Sequence, residues 1–267
     1  MVKHHTMYPL ELISLHSKPE INRVSEFSKV AENLEIQAIA GAYLDLLNNA
    51  PKRAHSRKSY FQTGHDGYPS GEDSSNRREE HLALALFNQA SPLHFPDGKH
   101  LNIIDYQTPL KASRNDKGVG KIDLFGVLDS TIPAVIELKI NGINGGMADT
   151  PLRALLEGLA YCAIIEANMT DIADEANSIF NLKFIKTKPD LIVMAPNDYW
   201  QSYINKSSAG NWLQVFEELI SGIRQTLQIN TYLVSLSNAE FEMGSSKKKP
   251  KLLNHCHASL VKLENGS

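Results

Sequence analysis

The segment KIDLFGVLDSTIPAVIELKI, residues 121–140, decides the fold of this chain. Its two apolar halves belong to the runs VGKIDLFGVL (119–128) and AVIELKI (134–140), which have the composition of β-strands. The five residues between them, DSTIP (129–133), are typical of a short connection. The segment therefore predicts two antiparallel strands, joined as a hairpin and buried inside a sheet.

Two charged residues interrupt the second of these strands. Glu137 and Lys139 share one face, because side chains alternate along a strand, and burying unpaired charge is costly. We expect Leu128 to lie opposite Ala134 across the hairpin. Asp123 then lies directly opposite Lys139, with Glu137 at the adjacent diagonal position. A slip of one residue would move Asp123 to the other face, so the prediction depends on this register.

Two carboxylates and a lysine on one face suit the hydrolysis of phosphodiesters. Carboxylate oxygens hold Mg²⁺, which keeps most of its waters, polarises the phosphate and helps to generate hydroxide. The lysine can orient or deprotonate the attacking water, or neutralise developing charge. The alternative is that Glu137 and Lys139 are an exposed ion pair on an edge strand.

The flanking sequence predicts an α/β fold with a mixed central sheet flanked by helices. Helices are expected at 76–90, 151–167 and 211–228, and strands at 101–108, 190–196 and 231–236. Thr150 is a suitable N-cap, and Pro151 is favoured at the first helical position. The first strands should be antiparallel, and the later ones should be joined by helical crossovers.

Three segments are expected along the chain. Residues 1–75 read as an N-terminal helical and loop extension, of which 51–75 form a long surface loop or linker. Residues 76–240 read as the core, and residues 241–267 as a basic, peripheral tail.

The hairpin motif resembles that of the PD-(D/E)XK nuclease superfamily, which has the restriction-endonuclease-like fold. Asp123 lies in one strand, and Glu137-Leu138-Lys139 lies in the next. The resemblance covers about residues 75–196. Ile122 takes the place of the proline in the family's name. The resemblance implies that Asp123, Glu137 and the backbone carbonyl of Leu138 bind Mg²⁺ or Mn²⁺, and that Lys139 serves the attacking water.

Members of this superfamily often carry a glutamate in the first core helix. Glu79 and Glu80 are the candidates. Asn76 and Glu79 have the spacing of a capping box, which gives Glu79 a structural role. Glu80 lies on the same side of the helix as Leu84 and Phe87, so Glu80 is the preferred catalytic residue.

Some members also carry Gln-x-x-x-Tyr in the next helix. Glu157 and Tyr161 have that spacing here, one turn apart, with Glu in place of Gln. They are predicted to support the site. The alternatives are that Tyr161 belongs to the core and that Arg153 pairs with Glu157.

Basic residues are clustered, although the 267-residue chain has a formal net charge of −3. The clusters are Lys52, Arg53, Arg57 and Lys58; Lys111, Arg114, Lys117 and Lys121; and Lys247, Lys248, Lys249 and Lys251. Arg53, Arg57 and the whole second cluster are candidate phosphate contacts. The alternative is that these are solvated loops.

The whole sequence is typical of a globular protein, with 42% hydrophobic and 21% charged residues. Two cysteines, no signal peptide and no long apolar run favour a cytoplasmic location without membrane contact. We therefore expect a nuclease that depends on Mg²⁺ or Mn²⁺, with DNA as the expected substrate. A homodimer is compatible with this function. The alternatives are a non-catalytic nucleic-acid-binding or assembly module and an unrelated α/β enzyme.

Overall fold

The computed structural model describes residues 11–61, 65–69, 77–89, 91–142 and 149–262. The helices are α1 (Glu11–Leu15), α2 (Phe27–Glu32), α3 (Ile36–Asn48), α4 (Arg78–Phe87), α5 (Pro151–Ala167), α6 (Met169–Phe180), α7 (Asn197–Ile204) and α8 (Trp212–Leu227). The strands are β1 (Leu93–His94), β2 (His100–Pro109), β3 (Lys121–Leu128), β4 (Ile132–Leu138), β5 (Asp190–Pro196), β6 (Thr231–Ser237), β7 (Phe241–Glu242), β8 (Lys251–Leu252) and β9 (His257–Leu260).

A mixed, mostly antiparallel sheet forms the centre of the protein. Its seven strands follow the order β1-β2-β3-β4-β5-β6-β9. The β4–β5 and β5–β6 pairs are parallel and are reached through α5, α6, α7 and α8, whereas the other pairs are antiparallel. The predicted α/β class with a mixed central sheet and flanking helices is therefore confirmed.

Each face of the sheet carries an apolar core. One core contains residues of α1, α2, α3, α5 and α8 together with Phe125 and Val135 of the hairpin. The other contains residues of α4 together with Leu124 and Ile136. Because side chains alternate along a strand, Asp123 lies on the same face of the sheet as Phe125, and Glu137 lies on the same face as Val135.

Helix α5 is the element that the sequence defined most clearly. Thr150 is its N-cap, and the Thr150 hydroxyl accepts a hydrogen bond from the backbone N–H of Arg153 at 3.3 Å. Pro151 occupies the first helical position, where no intrahelical donor is needed. The helix is buried on most of its surface because it lies between the sheet and α3. The predicted start and end are both confirmed.

The hairpin register differs from the expected one by two residues. Leu128 pairs with Ile132, and Ala134 pairs with Gly126 instead of Leu128. The strand begins earlier because Asp129 and Ser130 form the turn with φ of +48° and +64°. Continuing this pairing places Asp123 opposite Glu137, so the predicted pairing of Asp123 with Lys139 is wrong. The shift is even, so it leaves all three residues on the predicted face.

The segments that flank the core pack more tightly than the sequence suggested. Tyr60 and Phe61, in the predicted surface loop, are buried, and the Phe61 ring lies 5.6 Å from the Phe125 ring. At the other end, β9 pairs with β6 and adds a strand to the sheet. Cys256 and Ala258 are buried in the core beside α4. The prediction of a peripheral tail is therefore wrong for this part.

Within the described residues, no helix has both the length and the apolar character needed to cross a membrane.

Candidate active site

Asp123, Glu137 and Lys139 converge at one end of the β3–β4 hairpin. Lys139 Nζ lies 2.5 Å from Glu137 Oε1 and 4.0 Å from Asp123 Oδ2. Glu137 and Lys139 are only 2% and 4% exposed, so this is a buried charge cluster rather than a surface pair. The backbone N–H of Lys139 donates to the carbonyl of Met194 at 2.8 Å, which fixes the end of β4 against β5. The alternative of an exposed ion pair on an edge strand is thus wrong.

Two donors fix the carboxylate of Asp123. The backbone N–H of Leu138 donates to Oδ2 at 3.0 Å, and Gln107 Nε2 lies 3.3 Å from Oδ1. These bonds hold the carboxylate plane between β2 and β4. Gln107 was not among the sequence candidates, because a lone glutamine in a strand carries no motif.

One oxygen of Glu137 has no partner among the described residues. Oε1 accepts from Lys139, but the buried Oε2 has no hydrogen-bond partner within that part of the chain. Leaving a buried polar atom unsatisfied costs about 1–3 kcal/mol, and more when the group is charged. Such an atom in a folded protein calls for a water or an ion as its partner.

The glutamate that reaches this cluster is Glu79 rather than Glu80. Glu79 Oε1 lies 3.9 Å from Lys139 Nζ, whereas Glu80 Oε2 lies 3.5 Å from Arg77 Nη1. The preference for Glu80 is therefore wrong. Glu79 is the second residue of α4, so its side chain extends past the helix start toward the end of the sheet. Asn76, the predicted partner in a capping box, lies outside the described residues.

Glu157 and Tyr161 form a hydrogen-bonded pair on α5. The Tyr161 hydroxyl donates to Glu157 Oε1 at 2.9 Å, while Arg153 Nε is 4.0 Å from Glu157 Oε2. Arg153 instead makes its closer contact, 3.1 Å, with Asp149. A Cβ at Gly120 would lie 2.3 Å from the Tyr161 hydroxyl, so only glycine leaves room for the tyrosine beside β3.

The site concentrates negative charge away from solvent. Burial raises the pKa of Asp123 and of Glu137, and the attraction of Lys139 only partly offsets it. Burial, together with neighbouring carboxylates, raises the pKa of Glu79 to about 7. For Lys139 burial acts in the opposite direction, but the surrounding carboxylates outweigh it and hold its pKa well above the ordinary value.

The donor set fits a hard divalent cation that keeps several waters. Among the described residues, no group of three or more Asp, Glu, His or Cys side chains is arranged to hold a metal ion. Mg²⁺ needs no such group, because it is commonly held by one or two carboxylates with water filling the remaining positions. Within the part of the chain that the structure describes, Glu137 Oε2 lacks a hydrogen-bond partner and the carboxylate of Asp123 is fixed, so these are the oxygens that would hold such a cation.

Two of the predicted basic clusters lie next to each other. Arg53 is buried, and its guanidinium donates to the carbonyls of Ser59 and Lys111, at 2.6 Å and 2.5 Å for the shortest bonds. Arg53 thus has a structural role that the sequence did not suggest. Lys58 donates to the carbonyl of Ala112 at 2.6 Å. The other candidate phosphate contacts, Arg57, Lys111, Arg114, Lys117 and Lys121, are exposed.

Comparisons of the chain with protein-family models, with curated proteins and with solved structures found no match.

Proposed function

We propose that this protein is a divalent-cation-dependent nuclease that hydrolyses phosphodiester bonds, similar to the PD-(D/E)XK superfamily and with a core of the restriction-endonuclease-like type. The observation that carries the proposal is the buried cluster of Asp123, Glu137 and Lys139, in which one carboxylate oxygen has no partner among the described residues. Burying such charges is costly, and a buried ion pair often contributes little to stability. The retention of this cluster therefore favours a functional role.

In the proposed mechanism, Asp123, Glu137 and the backbone carbonyl of Leu138 would hold Mg²⁺ or Mn²⁺. When bound there, the cation would supply Lewis acidity toward the phosphate and would lower the pKa of water. Lys139 lies beside both carboxylates, so its ammonium can orient the attacking water or neutralise charge on a phosphate oxygen.

Glu79 and the Glu157–Tyr161 pair complete the wall of the site. Glu79 reaches Lys139 from α4, on the opposite layer, and fixes the ammonium from that side. Tyr161 donates to Glu157, which holds the carboxylate of Glu157 in one orientation. These groups act by positioning Lys139 and the attacking water.

The proposed substrate is DNA, and the exposed basic residues are its phosphate contacts. The contacts from Arg53 and Lys58 join the loop at 51–61 to the start of the 111–121 segment. That segment ends at Lys121, two residues before Asp123. Lys121 is exposed and is two residues from Asp123 on the same strand, so a phosphate bound by this segment would lie near the carboxylates.

A non-catalytic nucleic-acid-binding module is the second candidate. The observation that favours it is the short Lys139–Glu137 contact of 2.5 Å, because a closed ion pair can serve as a structural link. In that case the same basic surface binds nucleic acid without cleavage.

A hydrolysis assay separates the two candidates. Purified protein is incubated with labelled linear DNA, circular DNA and RNA in Mg²⁺, in Mn²⁺ and in EDTA. We expect cleavage that requires the cation and is abolished in the Glu137→Ala and Lys139→Ala variants, with Glu80→Gln as a folded control that remains active. Binding without cleavage, unaffected by the two substitutions, would favour the second candidate. Cleavage that survives both substitutions would remove the site assignment.

A further inference from the structure

Strand β2 contains a residue in a strained backbone conformation. Gln107 has φ of +49°, in the left-handed region that disfavours any residue with a Cβ. The other non-glycine residues with positive φ, among those described, lie in turns or at element ends: Arg57, Asp129, Ser130, Asn181, Gln228 and Asn238. Such strain persists only where surrounding contacts maintain it, and it is concentrated at functional sites.

The contacts that maintain the strain involve Asp105. Asp105 and Thr108 are three residues apart, so in a regular strand their side chains would point to opposite faces. Here the Thr108 hydroxyl donates to Asp105 Oδ2 at 2.7 Å, which the left-handed turn at Gln107 allows. Asp105 Oδ1 lies 2.6 Å from His65 Nδ1, and the His65 ring stacks on Tyr106 at 4.4 Å. We refer to Asp105, Thr108 and His65 as the Asp105 clamp.

The strained residue faces the candidate active site. Tyr106 pairs with Leu124 and Thr108 pairs with Ile122, which places Gln107 opposite Asp123. Gln107 Nε2 lies 3.3 Å from Asp123 Oδ1, while the backbone N–H of Leu138 holds Oδ2. Without the Gln107 contact, Asp123 would be held only through Oδ2, by the backbone N–H of Leu138 and by Lys139 at 4.0 Å.

We propose that Gln107 is a positioning residue that orients the carboxylate of Asp123 for the divalent cation, and that the Asp105 clamp holds Gln107 in its left-handed conformation. This inference rests on the proposed function, because it assigns Asp123 to the cation. It identifies a strand not included in the sequence motif as part of the site. Residues that orient a metal ligand typically change metal affinity about 10–100-fold when they are removed.

The test measures Mn²⁺ affinity by calorimetric titration and thermal stability in EDTA. We expect Gln107→Ala and Gln107→Gly to weaken Mn²⁺ binding to a similar extent, about 10–100-fold. The two variants should differ in stability, because only glycine adopts the left-handed conformation without strain. We expect the melting temperature of Gln107→Gly to exceed that of Gln107→Ala by about 2–8 °C.

Two further variants separate the parts of the inference. Gln228 also has positive φ, +59°, at the C-terminal cap of α8 and outside the site. Its substitutions Gln228→Ala and Gln228→Gly should show the same stability difference with unchanged Mn²⁺ affinity. Thr108→Val removes one bond of the Asp105 clamp and leaves Gln107 intact, and it should also weaken Mn²⁺ binding.

Three results would overturn the inference. If the wild-type protein binds Mn²⁺ and Gln107→Ala binds it equally tightly, Gln107 has no positioning role, although the proposed function stands. If Gln107→Gly and Gln107→Ala melt at the same temperature, the backbone at Gln107 is not strained. If Asp123→Asn and the wild-type protein both fail to bind Mn²⁺, the proposed function fails and the inference fails with it.

Discussion

A divalent cation should stabilise the fold, and the effect should depend on Asp123 and Glu137. Glu137 Oε2 is buried and has no partner in the part of the chain that the structure describes, at a cost of about 1–3 kcal/mol or more for a charged group. A ligand at 100 times its dissociation constant stabilises the native state by about 2.7 kcal/mol. For a domain of this size, each kcal/mol shifts the melting temperature by about 2–4 °C. We therefore expect an increase of about 5–11 °C on saturation with Mg²⁺.

Thermal unfolding, followed by calorimetry in EDTA and at increasing Mg²⁺, measures this shift. Asp123→Asn and Glu137→Gln should lose most of it, whereas the matched control Glu80→Gln, half-buried on α4 beside Arg77, should retain it. Because burial raises the pKa of Asp123, ionisation of this carboxyl opposes folding. Asp123→Asn should therefore melt in EDTA at or above the wild-type temperature. An equal Mg²⁺ shift in Asp123→Asn and in the wild-type protein would refute this reasoning.

Three more predictions concern groups around the cluster. In EDTA, Glu79 should make the fold less stable as the pH rises from about 4.5 through about 7, because burial raises its folded-state pKa to about 7 and ionisation then opposes folding. Glu79→Gln should make the melting temperature depend less on pH between pH 5 and 8. An unchanged pH dependence in this variant would contradict the placement of Glu79 in the cluster. Gly120→Ala should lower the free energy of unfolding by about 1–3 kcal/mol in chemical denaturation, because the new methyl group meets the Tyr161 hydroxyl. Adding Tyr161→Phe should recover part of this lost stability. No recovery in the double variant would exclude this contact as the cause. The double variant Lys111→Glu, Arg114→Glu should weaken DNA binding, as measured by fluorescence anisotropy. The slope of log affinity against log salt concentration should fall in magnitude by about 0.9 for each phosphate that the protein no longer neutralises. An unchanged slope would show that neither residue binds phosphate.

The strands and helices of the core were predictable because the hydrophobic pattern of each segment and the residues at its ends indicated the same element. The apolar run at β5 is typical of a buried strand, and Thr150-Pro151 is typical of a helix start, as found in α5. The shared face of Asp123, Glu137 and Lys139 was also predictable, since any even register preserves it.

The exact register was not predictable, because the turn has no sequence signal of its own. Asp129 and Ser130 adopt left-handed conformations without a glycine. Pro133, which suggested the end of the loop, instead lies within β4, opposite Val127. The strand therefore starts two residues before the point that the sequence indicated.

The choice between Glu79 and Glu80 failed for a different reason. Helical periodicity ranks residues by the side of the helix that faces the core. The site lies beyond the start of α4, so the decisive property is distance along the helix axis. The role of Gln107 was similarly hidden, since it depends on a backbone distortion and on a contact between strands.

The most direct test of the central claim is the rate of DNA hydrolysis under single-turnover conditions in Mg²⁺, compared between the wild-type protein and Glu137→Gln. Loss of a residue that acts on the reacting phosphate through a cation should lower the rate by at least about 10²–10³-fold, while Glu137→Gln remains folded and binds DNA. Hydrolysis by the wild-type protein that stops in EDTA and falls by this factor in Glu137→Gln is the predicted result. No hydrolysis by the wild-type protein, or equal rates in the two proteins, would contradict the account.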